Sequence, residues 1–411
     1  MRPVGLLPVL VAVFVAPAAY PPATAAQAPD SPFAGPFVVR ETPAPAGSAE
    51  PNLAVSPDGT VWMSWQERLA DRTNRLRVAR RAGDGWSEPV TVAEGRFFAN
   101  WADFPSIFFT RDGTLAAHWL ERDGQGTYAY GVRVRTSHDG RTWTEKIIPH
   151  SDRSPTEHGF VAFYEDPASG LGLVWLDGRE TGGGHGGGGA MTLRSASIVD
   201  GRPSNEQLVD PKVCDCCQTA AATTDEGVVV AYRDRTDDEI RDMSVVRLVN
   251  GRWTTPSTLH ADGWQINACP VNGPALAALG RTVAAAWFTA AGGTSRTRLA
   301  FSTDAGATFG TPIELSSGSA TMGRVGILMI DADRVLVSSL ERGSEGGQLV
   351  LRQVRRDGRV GAPVVVAATS PERASGFARL ALDRQRRLFV AWTEVTRGSP
   401  PQVRIADAPI N

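Results

Sequence analysis

A short motif recurs along the chain at nearly constant intervals. An aromatic residue ends an apolar run, an acidic residue follows two positions later, and an arginine often comes just after. The clear copies are Trp65-Gln-Glu67-Arg68, Trp119-Leu-Glu121-Arg122, Trp175-Leu-Asp177-Gly-Arg179, Tyr232-Arg-Asp234-Arg235 and Trp392-Thr-Glu394, and two weaker copies contain Trp287 with Thr289, and Glu341 with Arg342. Successive copies are 52 to 57 residues apart. Intervals of this length, filled by short strands, are typical of the blades of a β-propeller.

The stretches between copies read as short strands, because clusters of Gly, Asp, Asn and Pro separate runs rich in β-branched and aromatic residues. In the first copy the pattern predicts strands at residues 52–56, 61–66, 76–80 and 86–92. The last repeat, which begins near Phe377, lacks a fourth strand, and residues 36–42 are predicted to supply it. A ring closed by both chain ends leaves no open sheet edge. We therefore predict an all-β propeller of seven four-stranded blades, with six blades as the alternative if one repeat is irregular.

The first residues have the layout of a secretory signal peptide. Arg2 precedes an apolar run at residues 4–16, and small residues ending in Ala25-Ala26 follow it. The run is shorter than the roughly 20 apolar residues that cross a bilayer, and no later segment of the sequence comes close. We predict a signal peptide at residues 1–26 and a single propeller domain at residues 27–411. The protein is then secreted or periplasmic and has no membrane span.

The charge balance argues against two classes of partner. The chain has 42 basic and 44 acidic residues and a formal net charge of −2. Such a balance gives no electrostatic reason to expect binding to nucleic acid or to an anionic membrane. We expect a carbohydrate or a small acidic ligand as the partner, and a monomeric protein.

Two predicted hairpin turns carry a second motif. Ser302-Thr-Asp304-Ala-Gly306-Ala-Thr308-Phe309 has the form Ser-x-Asp-x-Gly-x-Thr-aromatic, and Thr136-Ser-His138-Asp-Gly140-Arg-Thr142-Trp143 is a degenerate copy with His138 at the Asp position. The pattern looks like the Asp-box, or BNR repeat, a turn whose side chains bond their own backbone. With these two turns and seven repeats, the mature chain resembles the sialidase (neuraminidase) superfamily of β-propellers.

The resemblance implies one enzymatic function, the hydrolysis of acidic sugars by an exo-sialidase-type glycoside hydrolase. That family uses a tyrosine nucleophile late in the chain, an acid-base aspartate and arginines that grip the carboxylate of the sugar. No tyrosine follows Tyr232 in this sequence. Fold and activity separate easily, so we favour a propeller that binds a polar ligand, a glycan or a metal, with the hydrolase as the alternative.

The predicted topology places the candidate functional residues on one face. Inner strands begin, and second strands end, on the same face of a propeller, so the acid and arginine pairs of the repeat lie beside the starts of the inner strands. The candidate catalytic acids are Glu121, Glu157, Asp177 and Asp234, and the candidate ligand-binding residues are His158, Arg179, Arg235 and Arg324. The alternative for the repeated pairs is a structural ion pair between neighbouring blades.

Three of the four cysteines lie within seven residues, at Cys214, Cys216 and Cys217, and Cys269 follows 52 residues after Cys217. In a secreted chain the simplest outcome is two disulfides, and Cys217 with Cys269 is the natural pair across neighbouring inner strands. The competing interpretation is a thiolate site for copper or zinc, formed by Cys214, Cys216, Cys217 and Cys269. No cofactor is certain from the sequence.

Overall fold

The computed structural model describes residues 31–166, 170–182, 189–344 and 346–411. The predicted signal peptide at residues 1–26 lies outside these residues. The described strands form seven antiparallel sheets in a ring, which are numbered blades 1 to 7 in chain order. The seven-bladed prediction is therefore confirmed, and the six-bladed alternative is excluded.

The chain enters through a short strand that belongs to the last blade, β1 (Val38–Arg40). Blade 1 follows with β2 (Ser48–Val55), β3 (Val61–Arg68), β4 (Asn74–Ala82), β5 (Gly85–Trp86) and β6 (Val90–Gly95). Blade 2 has β7 (Ser106–Phe109), β8 (Leu115–Arg122) and β9 (Tyr130–Ser137). Blade 3 has β10 (His158–Tyr164), β11 (Leu171–Asp177), β12 (Met191–Val199) and β13 (Arg202–Val213).

The second half of the ring has the same order. Blade 4 has β14 (Ala220–Thr224), β15 (Gly227–Arg233), β16 (Met243–Val249), β17 (Arg252–Trp253) and β18 (Ser257–His260). Blade 5 has β19 (Ala275–Leu279), β20 (Thr282–Thr289), β21 (Arg296–Ser302) and β22 (Ile313–Ser317). Blade 6 has β23 (Thr321–Asp331), β24 (Arg334–Gly343), β25 (Gly346–Arg355) and β26 (Val364–Thr369). Blade 7 has β27 (Arg379–Leu382), β28 (Arg387–Glu394) and β29 (Gln402–Pro409), completed by β1.

Helix is confined to two short 3-10 turns in the described residues, Ala291–Gly293 and Arg373–Ser375. No described helix is long and apolar enough to cross a membrane. Blade 2 is the irregular member, because only three of its strands pair continuously. A single bridge between Val134 and Ile147 stands where its outer strand would lie.

The ring is closed by antiparallel pairing of β1 with β29, in the register that sets Val38 opposite Asp407. The predicted closing strand at residues 36–42 is shortened at both ends. Arg40 and Arg387 both pair with the Asp407 carboxylate, which is only 2% exposed. Phe33, just before β1, is also 2% exposed and packs on the core of the last two blades. The closure therefore combines a sheet ladder, an ion-pair cluster and buried apolar area.

In blades 1, 2 and 3 the repeated tryptophan donates a hydrogen bond to the acid two residues later. The indole Nε1 of Trp175 donates to Asp177 at 2.8 Å, and the Trp65–Glu67 and Trp119–Glu121 pairs have the same contact at 3.0 and 3.3 Å. Four of the motif tryptophans are at most 2% exposed, namely Trp65, Trp119, Trp175 and Trp287. In these three blades the motif thus buries a large ring and satisfies its only polar atom.

The acids of the motif also pair with arginines of their own blade. Glu341 accepts from Arg352 at 2.6 Å, and Glu394 accepts from Arg404 at 2.8 Å, in each case across the second and third strands. The alternative of ion pairs between neighbouring blades is therefore wrong for these copies. The repeat length arises because each blade needs its own set of these contacts.

Side-chain hydrogen bonds hold the two hairpin turns that carry the second motif. Thr308 donates to Asp304 through its backbone N–H at 2.9 Å and its hydroxyl at 2.6 Å. In the other turn the same contacts come from Thr142 to Asp139, with the backbone N–H at 2.7 Å. The alignment that placed His138 at the Asp position is wrong by one residue. Asp139 accepts because it is the carboxylate that reaches the amides of the turn.

We predict that the N-terminal segment contributes measurably to the stability of the ring. Phe33→Ala should lower the free energy of unfolding by about 3–5 kcal/mol, because it leaves a cavity at a fully buried aromatic position. Val39→Ala, in β1 at a side chain that is 55% exposed, should change it by less than about 0.5 kcal/mol. Chemical denaturation of the two variants beside the wild type measures both values. Equal stability of Phe33→Ala and wild type would contradict the closure.

Candidate functional site

The inner strands of all seven blades line a cavity of about 280 Å³ on the propeller axis. Several inner strands begin with a kink in which a non-glycine residue has a left-handed backbone. Glu50, Phe160 and Arg324 have φ of 56°, 54° and 53°, and each lies at a break in the pairing of its inner strand. Such bulges change the direction of a side chain and are common beside functional sites. The strand starts thus form a distinct rim at one end of the cavity.

Hydrogen bonds from one blade to the next fix this rim. Asp103 accepts from the Phe160 N–H at 2.7 Å, and Asn272 accepts from the Arg324 N–H at 2.7 Å. Asn52 and Gln218 make the equivalent contacts, with the Ile107 N–H at 3.3 Å and with the Gly273 N–H at 3.0 Å. Four neighbouring pairs of blades are therefore locked by a side chain on the rim. Such a rim is organised before any ligand arrives.

An aromatic and arginine cluster, which we call the central mouth, lies at this end of the cavity; it comprises Trp101, Phe104, Arg324, Phe377 and Arg379. The rings of Trp101 and Phe377 are stacked with centroids 6.1 Å apart, and Phe104 lies 5.7 Å from Phe377. The Arg324 guanidinium lies over Trp101 at 4.9 Å, and that of Arg379 over Phe104 at 4.1 Å. Both contacts have cation–π geometry.

The two arginines of the central mouth have no carboxylate partner within ion-pair distance in the residues that the structure describes. Arg324 donates to the Ser375 hydroxyl at 2.7 Å and to the Glu372 carbonyl at 2.9 Å. For Arg379, the Nη2 atom is buried and has no hydrogen-bond partner in the same described set. Burial lowers the pKa of each guanidinium to about 10. The charge of Arg373 also lowers the pKa of Arg324, and the charge of Glu372 acts in the opposite direction.

Acidic groups occupy another part of the rim. The Tyr130 hydroxyl lies 2.6 Å from Glu157 Oε1 and 3.2 Å from Asp103 Oδ2. Burial raises the pKa of Asp103 to about 8, and it also raises the pKa of Glu50 to about 8. Asp103 therefore carries a proton at neutral pH. A Cβ at Gly159 would overlap the Asp103 carboxylate, so this close approach requires glycine.

The cysteines lie on the same rim, in the turn between β13 and β14. The Cys214 sulfur is 3.9 Å from that of Cys216 and 3.6 Å from that of Cys217, and all three residues are buried. The Cys216 thiol is hydrogen-bonded to Cys269, which is exposed. None of the four cysteines, all of them described, forms a disulfide. The predicted Cys217–Cys269 bridge is therefore wrong, since Cys216 is the partner of Cys269 and Cys217 contacts Cys214.

The cysteine cluster favours one thiolate. Burial opposes ionisation of Cys214, but its hydrogen bonds with Cys216 and Cys217 and the charges of Arg241 and Arg233 outweigh burial and hold its pKa well below the usual range. Arg241 donates to the Cys214 sulfur at 3.3 Å. Burial raises the pKa of Cys217 to about 12, and hydrogen bonds with the neighbouring cysteines raise the pKa of Cys216 strongly. Of the three buried thiols, Cys214 is therefore the easiest to ionise.

Several residues proposed from the motif are engaged inside the blades and do not line the axial cavity. Glu121 accepts from Trp119 and from Lys146, the latter at 2.8 Å. Asp177 accepts from Trp175 and, at 2.7 Å, from Arg179. Asp234 accepts from the Ser244 hydroxyl at 2.9 Å, and Arg235 pairs with Glu239 at 2.7 Å. Of the eight catalytic and ligand-binding candidates, Glu157 contacts the Tyr130 hydroxyl, Arg324 contacts Trp101, and Arg235 contacts Asp215 in the cysteine turn.

His158 lies inside blade 3 rather than on the cavity wall. It is 1% exposed and stacks on His150 with ring centroids 4.0 Å apart. Its Nδ1 is 3.1 Å from the Thr156 carbonyl, so Nδ1 carries the proton, and its Nε2 is 3.1 Å from an Asp152 carboxylate oxygen. Nδ1 is therefore satisfied within blade 3, whereas the buried Nε2 lies beside the Asp152 carboxylate and has no hydrogen-bond partner in the described residues.

Sequence reasoning missed most of the central mouth. Trp101, Phe377 and Arg379 stand outside the repeated motif, and the motif drew attention to second strands. The offset within the repeat could have found them, because they occupy the starts of inner strands, as the Glu50 and Phe160 positions do. Arg241 could not be found this way, since it reaches Cys214 only through the folding of blade 4.

This chain is similar to known proteins in its fold. No model of a known protein family matches the sequence, and no curated protein matches it. Among solved structures, the BP39L lectin from Burkholderia pseudomallei is 12% identical, with 89% of this chain and 96% of that chain covered and a TM-score of 0.61. The polysaccharide lyase Uly1 is 11% identical, with 94% of each chain covered and a TM-score of 0.52.

A third solved structure, an alpha-L-arabinanase from Penicillium chrysogenum complexed with arabinobiose, is 12% identical, with 88% of this chain and 93% of that chain covered and a TM-score of 0.50. At these identities the similarity concerns the fold and carries no activity with it. Together with the seven blades, the similarity supports a seven-bladed β-propeller fold.

Proposed function

We propose that the protein binds an acidic carbohydrate at the central mouth. The observation that carries the proposal is the pair Arg324 and Arg379, two guanidiniums at one aromatic-lined opening without an acid of the described chain in ion-pair distance. A buried charge without a partner is costly, and the carboxylate or sulfate of a ligand would compensate it. Arginine suits this task because its planar donors grip such groups in pairs.

The remaining lining of the central mouth fits a sugar. Trp101, Phe104 and Phe377 provide apolar ring surface, and the Asp103 carboxyl and the Gln218 amide lie on the same cavity wall as Phe104. Pockets for small ligands commonly combine aromatic walls with a few convergent polar groups. The lectin, the arabinanase and the polysaccharide lyase with this fold act on or bind carbohydrate by their titles, which supports the same class of ligand here. A secreted or periplasmic location, as the signal peptide predicts, would bring the protein to such ligands.

We predict that the purified protein prefers acidic to neutral glycans and that Arg379 is needed for this preference. Arg379→Gln should weaken binding about 10- to 100-fold, because a hydrogen bond to a charged group contributes about 1.5–3 kcal/mol. An array of sialylated, uronate-containing, sulfated and neutral glycans selects the probe, and titration calorimetry then gives the affinity. The fold should survive the substitution, since Arg379 has no acid partner to leave unpaired.

The matched control for this experiment is Arg202→Gln, which removes the same charge from an exposed position on the outer strand of blade 3. Its affinity should equal that of the wild type. Equal binding of acidic and neutral glycans, or unchanged affinity of Arg379→Gln, would refute the proposed role of the central mouth.

Glycoside hydrolysis is the second candidate, and one observation favours it. The Tyr130 hydroxyl contacts the carboxyls of both Asp103 and Glu157, and burial raises the pKa of Asp103 to about 8. Acid-base hydrolysis of a glycoside uses two neighbouring carboxyls, one of which has a raised pKa and donates a proton. Release of a fluorophore from sialoside or uronide substrates, abolished by Asp103→Asn and by Glu157→Gln, would support hydrolysis over binding alone.

The proton on Asp103 gives a pH prediction. The folded state keeps this proton up to a pKa of about 8, whereas the usual value is 3.8, so between these pH values the folded state binds more protons than the unfolded state. Stability contributed by Asp103 is therefore lost as pH rises through this window. Asp103→Asn stays neutral, can still accept from the Phe160 N–H, and should gain about 4 kcal/mol relative to wild type between pH 5 and pH 9, because about three of these pH units lie below the pKa of Asp103 at about 1.4 kcal/mol each.

Denaturant unfolding at several pH values measures this difference. The exposed Asp225→Asn should follow the pH profile of the wild type. Parallel profiles of Asp103→Asn and wild type would show that Asp103 is ionised in the folded protein, and would remove the acid from the hydrolytic candidate.

A further inference from the structure

The sulfur atoms of Cys214, Cys216 and Cys217 have the spacing of a metal–thiolate site. The three lie within 4.8 Å of one another, and the two shorter separations are 3.6 and 3.9 Å. A metal bound at about 2.3 Å from each sulfur sets the sulfur–sulfur edge at about 3.8 Å in a tetrahedral site and about 4.0 Å in a trigonal one. The observed spacing therefore needs only small adjustments to hold one ion.

The local fold keeps these sulfurs together. The backbone N–H of Cys214 donates to the Arg233 carbonyl at 3.0 Å, which fixes the start of the turn on the end of β15. Gln218, directly after the cluster, donates to the Ala102 carbonyl at 2.6 Å and accepts from the Gly273 N–H. Both ends of the cysteine turn are thus anchored on other parts of the rim. Preorganised ligands of this kind lower the cost of binding an ion.

The ligand set is soft. Among the described residues, the group that can converge on one ion contains three cysteines and no histidine, aspartate or glutamate. Thiolate ligands select copper(I) and zinc over hard cations such as calcium and magnesium. Structural zinc is almost always bound by four ligands, whereas the buried set offers three, and three thiolates suit the lower coordination of copper(I).

A positive charge next to the sulfurs compensates the negative charge that they carry when ionised. Arg241 is buried, donates to the Cys214 sulfur at 3.3 Å and is itself held by Glu239 at 2.8 Å. Three thiolates with one copper(I) leave a local charge of about −2, which a low-dielectric site tolerates only beside cations. The guanidinium of Arg241 thus acts as a positioning and charge-compensating group outside the ligand set.

Cys269 gives the site a route to solvent. It is exposed on the loop before β19, and the Cys216 thiol is hydrogen-bonded to it. An exposed sulfur in contact with a buried set can take an ion from a donor and pass it inward by ligand exchange. Blade 4 supplies the buried sulfurs and blade 5 the exposed one, so an ion would link the same two blades as the Gln218–Gly273 contact.

We propose that Cys214, Cys216 and Cys217 bind one copper(I) ion and that Cys269 is the exposed ligand through which the ion enters and leaves. The proposal goes beyond carbohydrate binding and does not depend on it, because the central mouth and the cysteine cluster are separate sets of side chains.

The test uses the full mature chain, purified with reduced thiols and titrated with copper(I) without oxygen against a chromophoric copper(I) chelator. The expected result is one tightly bound ion per chain, with about three sulfur neighbours by X-ray absorption. Cys214→Ser and Cys216→Ser should each weaken binding more than about 100-fold, because each removes one of three ligands. Cys269→Ser should keep the affinity within about threefold and slow transfer to the chelator about tenfold or more.

Two further measurements separate loss of the site from loss of the fold. Far-ultraviolet circular dichroism and thermal unfolding of each metal-free variant should match the metal-free wild type. Arg241→Lys, which keeps a positive charge, should retain copper(I) binding better than Arg241→Gln. The comparison of Arg241→Lys with Arg241→Gln shows whether the positive charge matters for copper(I) binding. A purely structural role of Arg241 would not produce a difference that follows the charge.

Defined outcomes would overturn the proposal. They are the absence of copper(I) binding by a folded wild-type chain, tighter binding of zinc with four sulfur neighbours, or transfer that is unaffected by Cys269→Ser. Thiol counting by mass spectrometry on protein from the oxidising compartment is a further check. Two intact disulfides there would also contradict the site. None of these outcomes would bear on the proposal that the central mouth binds a glycan, because the glycan-binding assay needs no metal.

Discussion

Side chains at the starts of the inner strands bond the backbone of the next blade, and the geometry of the rim depends on these contacts. Asp103, Gln218 and Asn272 each accept an N–H from a neighbouring blade. Two of the donors, Phe160 and Arg324, have a left-handed backbone, which costs free energy that the contact helps to offset. Without these bonds the seven blades would still pack through their apolar faces. The arginines, carboxyls and cysteines would not be held in fixed relative positions.

The sequence was sufficient for the architecture because the repeat encodes a local contact. In blades 1 and 2 a tryptophan, an acid two residues later and an arginine on the next strand contact one another within a single blade, so each recurrence of the pattern marks one blade. The number of blades, seven, and the position of the closing strand were predicted from the regular spacing of this pattern. The strands of the first blade lie close to their predicted places, with the fourth divided between β5 and β6.

The candidate site was less predictable, since its residues come from different blades and share no spacing. Arg324 and Glu157 were proposed from their positions at strand starts, and the structure places them among the rim contacts. Arg379 was missed although it stands at the start of an inner strand, and Tyr130 gave no signal because a lone tyrosine on a strand is usually structural. The structure has no disulfide between the four cysteines, and the contacts of Cys269 also differ from the predicted pairing. Spacing alone suggested Cys217 as the partner of Cys269, but the turn directs Cys217 to Cys214 and Cys216 to Cys269.

Some departures from the repeat are compensated by another residue that restores the repeated contact, and others are not. Only the uncompensated departures call for a functional explanation. Blade 5 lacks the motif acid at Thr289, yet Trp287 Nε1 donates to Asp262 at 2.8 Å, so a residue from elsewhere restores the repeated contact. Tyr232 likewise donates to Asp210 at 2.5 Å. These departures are compensated and need no function to explain them.

The cysteine cluster and Arg379 restore no repeated contact. In the described residues, the buried Nη2 of Arg379 has no partner, and three buried sulfurs contact one another without forming a bridge. A buried charge or a cluster of reactive thiols without a structural partner lowers the stability of the folded protein. A protein with a purely structural role would gain nothing from such groups. The two departures differ in chemistry, one being a hard cation suited to carboxylate or sulfate and the other a soft donor set suited to copper(I). The propeller therefore presents two independent binding chemistries on a single preorganised rim.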